Sequence, residues 1–135
     1  MASPERPAAK SVAGKTYPPL EFTIDGNRVE QFARAIGADP AAGVPPTFAA
    51  VYALFATAGQ LFSDPEAEVN FAMLVHGEQE FAWDTHPEVG DKLVSEGRVV
   101  EDRTRRDMRF LTFETRTRRG AEPLLTSTMV DIIRG

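Results

Sequence analysis

Apolar and polar positions alternate with different periods in different parts of this chain, and one stretch has no polar face at all. Residues 41–63 contain no charged side chain. Pro45 and Pro46 do not belong inside a helix but suit the residues just before one, and Thr47 suits its cap or first turn. From Phe48 to Phe62 the residues are helix-compatible and apolar nearly all round, so the helix is buried on every side or lies in a membrane. A span needs about 20 apolar residues. This run is shorter, includes Gly59 and Gln60, and stops at Ser63-Asp64-Pro65. A buried core helix is expected, with Ala49, Ala50, Ala53, Ala56 and Ala58 allowing close approach to a sheet.

The flanking segments show ordinary amphipathic periods. Glu21 to Ile24 alternates as a short strand. Asp25-Gly26-Asn27 offers a turn and a cap. Val29, Phe32, Ala33 and Ile36 then recur at helical spacing until Gly37. After the apolar helix, Val69 to Val75 leads into a strand through Asp84. Lys92 to Glu101, Arg106 to Arg118 and Leu124 to Ile133 are long alternating runs, with a hairpin turn at residues 118–122. The run from Arg106 predicts a strand apolar on both faces. Residues 1–14 have no apolar period and are expected to be a mobile tail, leaving one domain over 15–135. The predicted order is a strand, a helix, the buried helix and a four-stranded antiparallel meander. A curved antiparallel sheet wrapped around one apolar helix buries that helix economically. This is an α+β architecture, the hot-dog fold.

Composition narrows the chemistry. The net charge of −5 argues against a nucleic-acid partner. Without cysteine there is no disulfide, thiolate zinc site or cysteine nucleophile. With only His76 and His86, a histidine-rich metal centre is not expected either. Neither a cofactor nor a metal is expected. No segment has the charged-then-apolar build of a signal peptide, and a cytoplasmic location is expected.

Two motifs go beyond patterning. Residues 69–81, Val-Asn-Phe-Ala-Met-Leu-Val-His-Gly-Glu-Gln-Glu-Phe, precede Pro87-Glu88-Val89-Gly90-Asp91-Lys92-Leu93. This resembles MaoC-like N-terminal dehydratase domains and the non-catalytic N-terminal half of the hydratase-2 region of peroxisomal multifunctional enzyme type 2. Val44-Pro45-Pro46-Thr47-Phe48 resembles the same family's Ala-Pro-Pro-Thr-Phe at the start of the hot-dog helix. Weaker agreement extends from about Gly14 to Ile133 and includes the HadA- and HadC-type dehydratase subunits.

The resemblance implies a domain that binds acyl thioesters, of coenzyme A or of a carrier protein, and pairs edge to edge with a second hot-dog domain. The pairing is a homodimer, or a heterodimer with a catalytic MaoC-like subunit. In the paired enzymes one domain carries an Asp and a His on a Gly-Asp-x-Asn-Pro-x-His loop before the helix. They move protons as water is added to an enoyl thioester or removed. Matched at Gly37, this chain has Ala38 in place of the acid and Gly43 in place of the histidine. Losing a proton carrier costs about 10²–10⁴-fold per group, so the chain reads as the catalytically empty partner.

The individual residues have plain readings beside the functional ones. Asp39 before Pro40 is a turn residue or a displaced acid. His76 is a hydrogen-bonded structural residue, or it faces the thioester channel or the partner together with Gly77 and Gln79. A regular strand would place His76, Glu78 and Glu80 on one face. Tyr52, Phe55 and Phe62 are core residues or acyl-tunnel lining. Arg103, Arg105 and Arg106 are a solvated strand end or a landing place for the phosphates of coenzyme A or phosphopantetheine.

The leading function is therefore a non-catalytic or substrate-binding subunit of an (R)-specific enoyl-thioester hydratase or 3-hydroxyacyl dehydratase. The alternatives are a self-sufficient hydratase using Asp39 or His76, a hot-dog thioesterase, and a non-enzymatic acyl-thioester binder. A thioesterase usually places a carboxylate on or beside the central helix, and residues 41–63 have none. The long C-terminal strands are expected to form the pairing edge.

Overall fold

The computed structural model describes residues 10–135. Strand β1 is Leu20–Thr23 and helix α1 is Gly26–Ala35. The central helix is composite. A 3₁₀ turn at Pro46–Phe48 leads into a π-helical stretch at Ala50–Phe55 and then into α2, Ala56–Phe62. Strands β2, Leu74–Trp83, β3, Lys92–Arg105, β4, Met108–Arg119, and β5, Glu122–Arg134, complete the chain.

All strands form one antiparallel sheet in the order β1-β3-β4-β5-β2. This is the expected hot-dog architecture, with two corrections. The meander has three strands, β3 to β5, because β2 pairs with β5 and not with β3. The connection 84–91 carries the chain across the end of the sheet. It is held by Asp84 N–H to Leu124 O at 2.7 Å and Gly90 N–H to Ile24 O at 2.8 Å. The strands to be crossed span about 15 Å at ~4.8 Å per strand, well within the reach of eight residues. As a result the long strands β4 and β5 are interior, and the free edges are β1 and β2.

The concave face of the sheet carries Leu93, Gly97 and Val99 of β3, Leu111, Phe113 and Thr115 of β4, and Leu125, Ser127 and Met129 of β5, all buried. Phe48, Tyr52, Leu54, Ala58 and Leu61 of the central helix pack there in two clusters. Thr57 joins helix to sheet. Its hydroxyl lies 2.7 Å from that of Thr115 and also donates back to Ala53 O. On β4 the core-facing residues are Arg109, Leu111 and Phe113, while Met108 is exposed.

The central helix is not buried all round, because Phe55 is 66% exposed while Tyr52 is 1% exposed. Residues 1–9 lie outside the described residues, and with them most of the expected tail. The end of that tail is attached to the sheet. Val12 N–H donates to Asp102 Oδ2 at 2.9 Å and Gly14 N–H to Val99 O at 2.7 Å. Among the described residues, no helix is long and apolar enough to cross a membrane.

Candidate functional site

The loop before the central helix is a well-formed turn. Asp39 caps the 3₁₀ turn Pro40–Ala42, its Oδ1 accepting the Ala41 N–H at 2.9 Å. Gly43 follows at φ 96°, a left-handed conformation that favours glycine. The Asp39 side chain is thus engaged with its own backbone, as its turn reading expects.

A different group of polar residues collects on edge strand β2. A β-bulge between His76 and Glu78 inserts Gly77 as an extra residue. His76 opposes Asp131, Glu78 opposes Val130 and Gln79 opposes Met129. The inserted residue reverses the alternation, so the regular-strand expectation is corrected. His76 shares the concave face with Gln79, while Glu78 and Glu80 point the other way. Gly77 suits its place, since a Cβ there would come within 3.1 Å of Ile132 Cδ1 and 3.3 Å of Val130 O.

Gln79 holds His76. The Gln79 amide Nε2 donates to Ser127 Oγ at 2.8 Å and to Glu80 O at 3.2 Å. Its Oε1, 3.1 Å from His76 Nε2, is therefore the acceptor, and His76 carries its proton on Nε2. The other ring nitrogen, Nδ1, keeps a free lone pair.

Asp131 on β5 is the residue that the sequence did not single out. It sits directly across from His76 on the concave face and is 0% exposed, with neither oxygen hydrogen-bonded among the described residues. Burial pushes its carboxyl up to about 6, and the nearby His76 draws it partly back. Its β4 neighbour is Leu111. The next residue on that face, Arg109, is committed to Asp102 at 2.8 Å and to the carbonyls of Ala67 and Glu68. A lone aspartate inside an alternating apolar strand was the only sequence signal.

The remaining candidates separate. The Tyr52 hydroxyl is buried with no hydrogen bond among the described residues, and burial pushes its pKa up, against ionisation. Phe55 lies on the surface of the π-helical stretch. The arginines form the β3–β4 turn. Arg103 lies over the Phe110 ring and 3.2 Å from Glu101, whereas Arg105 and Arg106 make no ion pair among the described residues. This turn is at the same end of the sheet as His76, since Arg105 opposes Met108, Met108 opposes Arg134, and Leu74 opposes Ile133. Among the described residues no cluster of His, Asp and Glu has metal-binding geometry.

An antiparallel sheet wrapped on one central helix defines a hot-dog protein. Over residues 11–126 the chain belongs to the family described as FAS1-like, dehydratase domain region. It is 30% identical to a UPF0336 protein of Saccharopolyspora erythraea over 96% of this chain and 93% of that one. It is 33% identical to a UPF0336 protein of Streptomyces avermitilis, over 62% of this chain and 66% of that protein.

Solved structures share the fold, two of them as follows. The HadBC (3R)-hydroxyacyl-ACP dehydratase complex of Mycobacterium tuberculosis superimposes with a TM-score of 0.75 at 19% identity, covering 92% of this chain and 98% of that one. The (R)-hydratase from A. caviae involved in PHA biosynthesis gives a TM-score of 0.59 at 19% identity, with 92% and 98% covered.

Proposed function

We propose that this chain is the substrate-binding, loop-deficient subunit of an (R)-specific enoyl-thioester hydratase or 3-hydroxyacyl dehydratase. The observation that carries the reading is the loop at 37–43. Matched at Gly37 to the Gly-Asp-x-Asn-Pro-x-His loop that the resemblance implies, the chain has Ala38 for the acid and Gly43 for the histidine, and Asp39 is engaged as a turn cap. The substrate is an acyl thioester of coenzyme A or of an acyl-carrier protein, and the setting is the cytoplasm.

A second hot-dog domain completes the assembly by adding to β2. That strand is a free edge beside exposed Phe71, Met73 and Val75. The fold relatives HadBC and ChsH1–ChsH2 are complexes of two different chains, which supports a two-domain assembly. The Arg103–Arg106 turn, with Arg105 and Arg106 free of ion pairs among the described residues, is the landing place proposed for the phosphates.

The test is enoyl-CoA hydration by the purified chain, alone and mixed with a hot-dog chain carrying the full Gly-Asp-x-Asn-Pro-x-His loop. Turnover only in the mixture is the expected result. Turnover by the chain alone overturns the substrate-binding role, and release of free thiol points to a thioesterase.

A further inference from the structure

The geometry points to His76 as a proton-transferring group that this chain itself contributes at the β2 edge, oriented by Gln79 and backed by the buried carboxyl of Asp131. It would act on a bound enoyl or 3-hydroxyacyl thioester. The choice of substrate rests on the function proposed above, but the pair does not.

Three observations converge. First, the ring is held. The Ser127–Gln79–His76 chain of contacts at 2.8 and 3.1 Å fixes the proton on Nε2 and leaves Nδ1 as a free base. A base fixed by a third group is the usual arrangement for proton transfer.

Second, Asp131 lies directly across the strand pair from His76, and opposed residues have Cβ atoms about 5 Å apart. A buried polar group without a partner needs an explanation. Nothing else facing Asp131 supplies one. Among the described residues its strand neighbours on that face, Leu111, Met129 and Ile133, are apolar, and Arg109 is occupied by Asp102. Its negative charge therefore serves an imidazolium at His76. Asp131 is a positioning residue, because it is fully covered and touches no substrate.

Third, His76 is exposed in the single chain and lies on the strand to which the second domain adds, so a substrate held between the two domains reaches it without opening the core. The site is separate from the 37–43 loop. Leu93, packed with Phe48 at the loop end, lies nine residues before Asp102, the β3 residue in line with Leu111 and Asp131. That is about 30 Å along the strand.

The step balances with water as the only co-reactant. The water oxygen bonds to the β-carbon of the enoyl thioester, and one water proton passes to His76 Nδ1. The double-bond pair moves to the α-carbon, which takes a proton from the acid on the second subunit's loop, and His76 passes the water proton through solvent to that acid, so turnover needs both chains. Nothing is oxidised or reduced, and dehydration is the reverse.

The pair is tested on the chain with ¹³C-labelled aspartate carboxyls. One carboxyl should titrate with a midpoint near 6, vanish in Asp131→Asn and move upward in His76→Gln, because His76 draws it down. An ordinary midpoint for Asp131, or no movement in His76→Gln, overturns the pair. The role is tested with a short and a medium trans-2-enoyl-CoA in whichever preparation turns over. His76→Gln should lower kcat about 10²-fold with KM little changed, and Asp131→Asn should displace the pH profile of kcat. Unchanged kcat in both variants overturns the role. No turnover in any mixture, with the carboxyl titration intact, removes the hydratase reading and leaves the pair established. An ordinary carboxyl titration with turnover intact does the opposite.

Discussion

Gly97 on β3 makes room for the ring of Phe113 on β4. A Cβ at Gly97 would overlap the Phe113 Cζ and lie 2.9 Å from its Cε2, where the ring fills the buried face of β3. The ring also meets Tyr17 edge-on, with centroids 5.9 Å apart, so it cannot simply swing away. Gly97→Ala is therefore an overpacking change and should cost about 1–3 kcal/mol in urea unfolding. Adding Phe113→Leu should recover part of the loss, because the two changes share one space. A stability loss in Gly97→Ala below a few tenths of a kcal/mol would show that the ring can move.

Arg109 and Asp102 form the buried ion pair of the sheet. Two guanidinium nitrogens contact the two carboxylate oxygens at 2.8 and 2.9 Å, with both side chains almost fully covered. The guanidinium also holds the Ala67 and Glu68 carbonyls, and Asp102 accepts the Val12 N–H. One pair thus ties the N-terminal segment and the 64–68 turn to the sheet. Arg109→Met leaves Asp102 buried and uncompensated and should cost about 3–5 kcal/mol. Arg109→Met with Asp102→Leu should cost clearly less, because no charge is left stranded. Thermal unfolding of the two variants checks the order.

The hydrophobic pattern was enough to locate each main element, because strand and helix periods survive in the residues themselves. The apolar 48–62 stretch and the alternating C-terminal runs fall where the helix and β3 to β5 are found. The pairing of β2 was not legible. Its partner depends on where the 84–91 connection leads the chain, which no local period encodes. The same limit hid the site. One extra residue at Gly77 puts His76 on the face of Gln79 and Asp131, and alternation cannot reveal a bulge. Asp131 stood out only as one acid in an apolar strand, and its unpartnered burial is a tertiary property. Phe55, read from the helix as a core residue or acyl-tunnel lining, lies outside the core because the π-helical stretch leaves it exposed.

The free edge of β2 leads to a prediction about assembly. Exposed strand edges bring their unpaired backbone groups together with a second chain unless they are blocked. The start of β2 and the turn before it are apolar on the outside, with Val75 62% and Phe71 65% exposed. In the absence of another subunit the chain should be a dimer at micromolar concentration. Light scattering should give twice the chain mass for the wild type and a single chain mass for Val75→Asp. A monomeric wild type would remove edge pairing as this chain's own property.

The unpartnered Asp131 makes stability depend on pH in an unusual direction. Its carboxyl titrates at about 6 in the folded chain against 3.8 for the free group. The folded state holds the proton more tightly, so the contribution is fully present below pH 3.8 and is lost as pH rises through 6. At 1.36 kcal/mol per unit, that loss approaches about 3 kcal/mol at neutral pH. Asp64 acts in the opposite sense in a lower window. Hydrogen bonds from Lys15 and Tyr17 hold it at about 2, so its contribution is lost as pH falls from 3.8 toward 2. Between these windows the two effects do not compete. The wild type should therefore gain stability on acidification from pH 7 to about 4.5. Asp131→Leu, which removes the acid and fills its site with an apolar side chain, should be more stable than the wild type at pH 7 and flat over that range. If Asp131 serves His76, the same variant should lose turnover as it gains stability, the trade expected of a group kept for function at the expense of the fold. A parallel pH profile for both proteins in guanidinium unfolding would mean that Asp131 keeps its ordinary acidity and has found a partner.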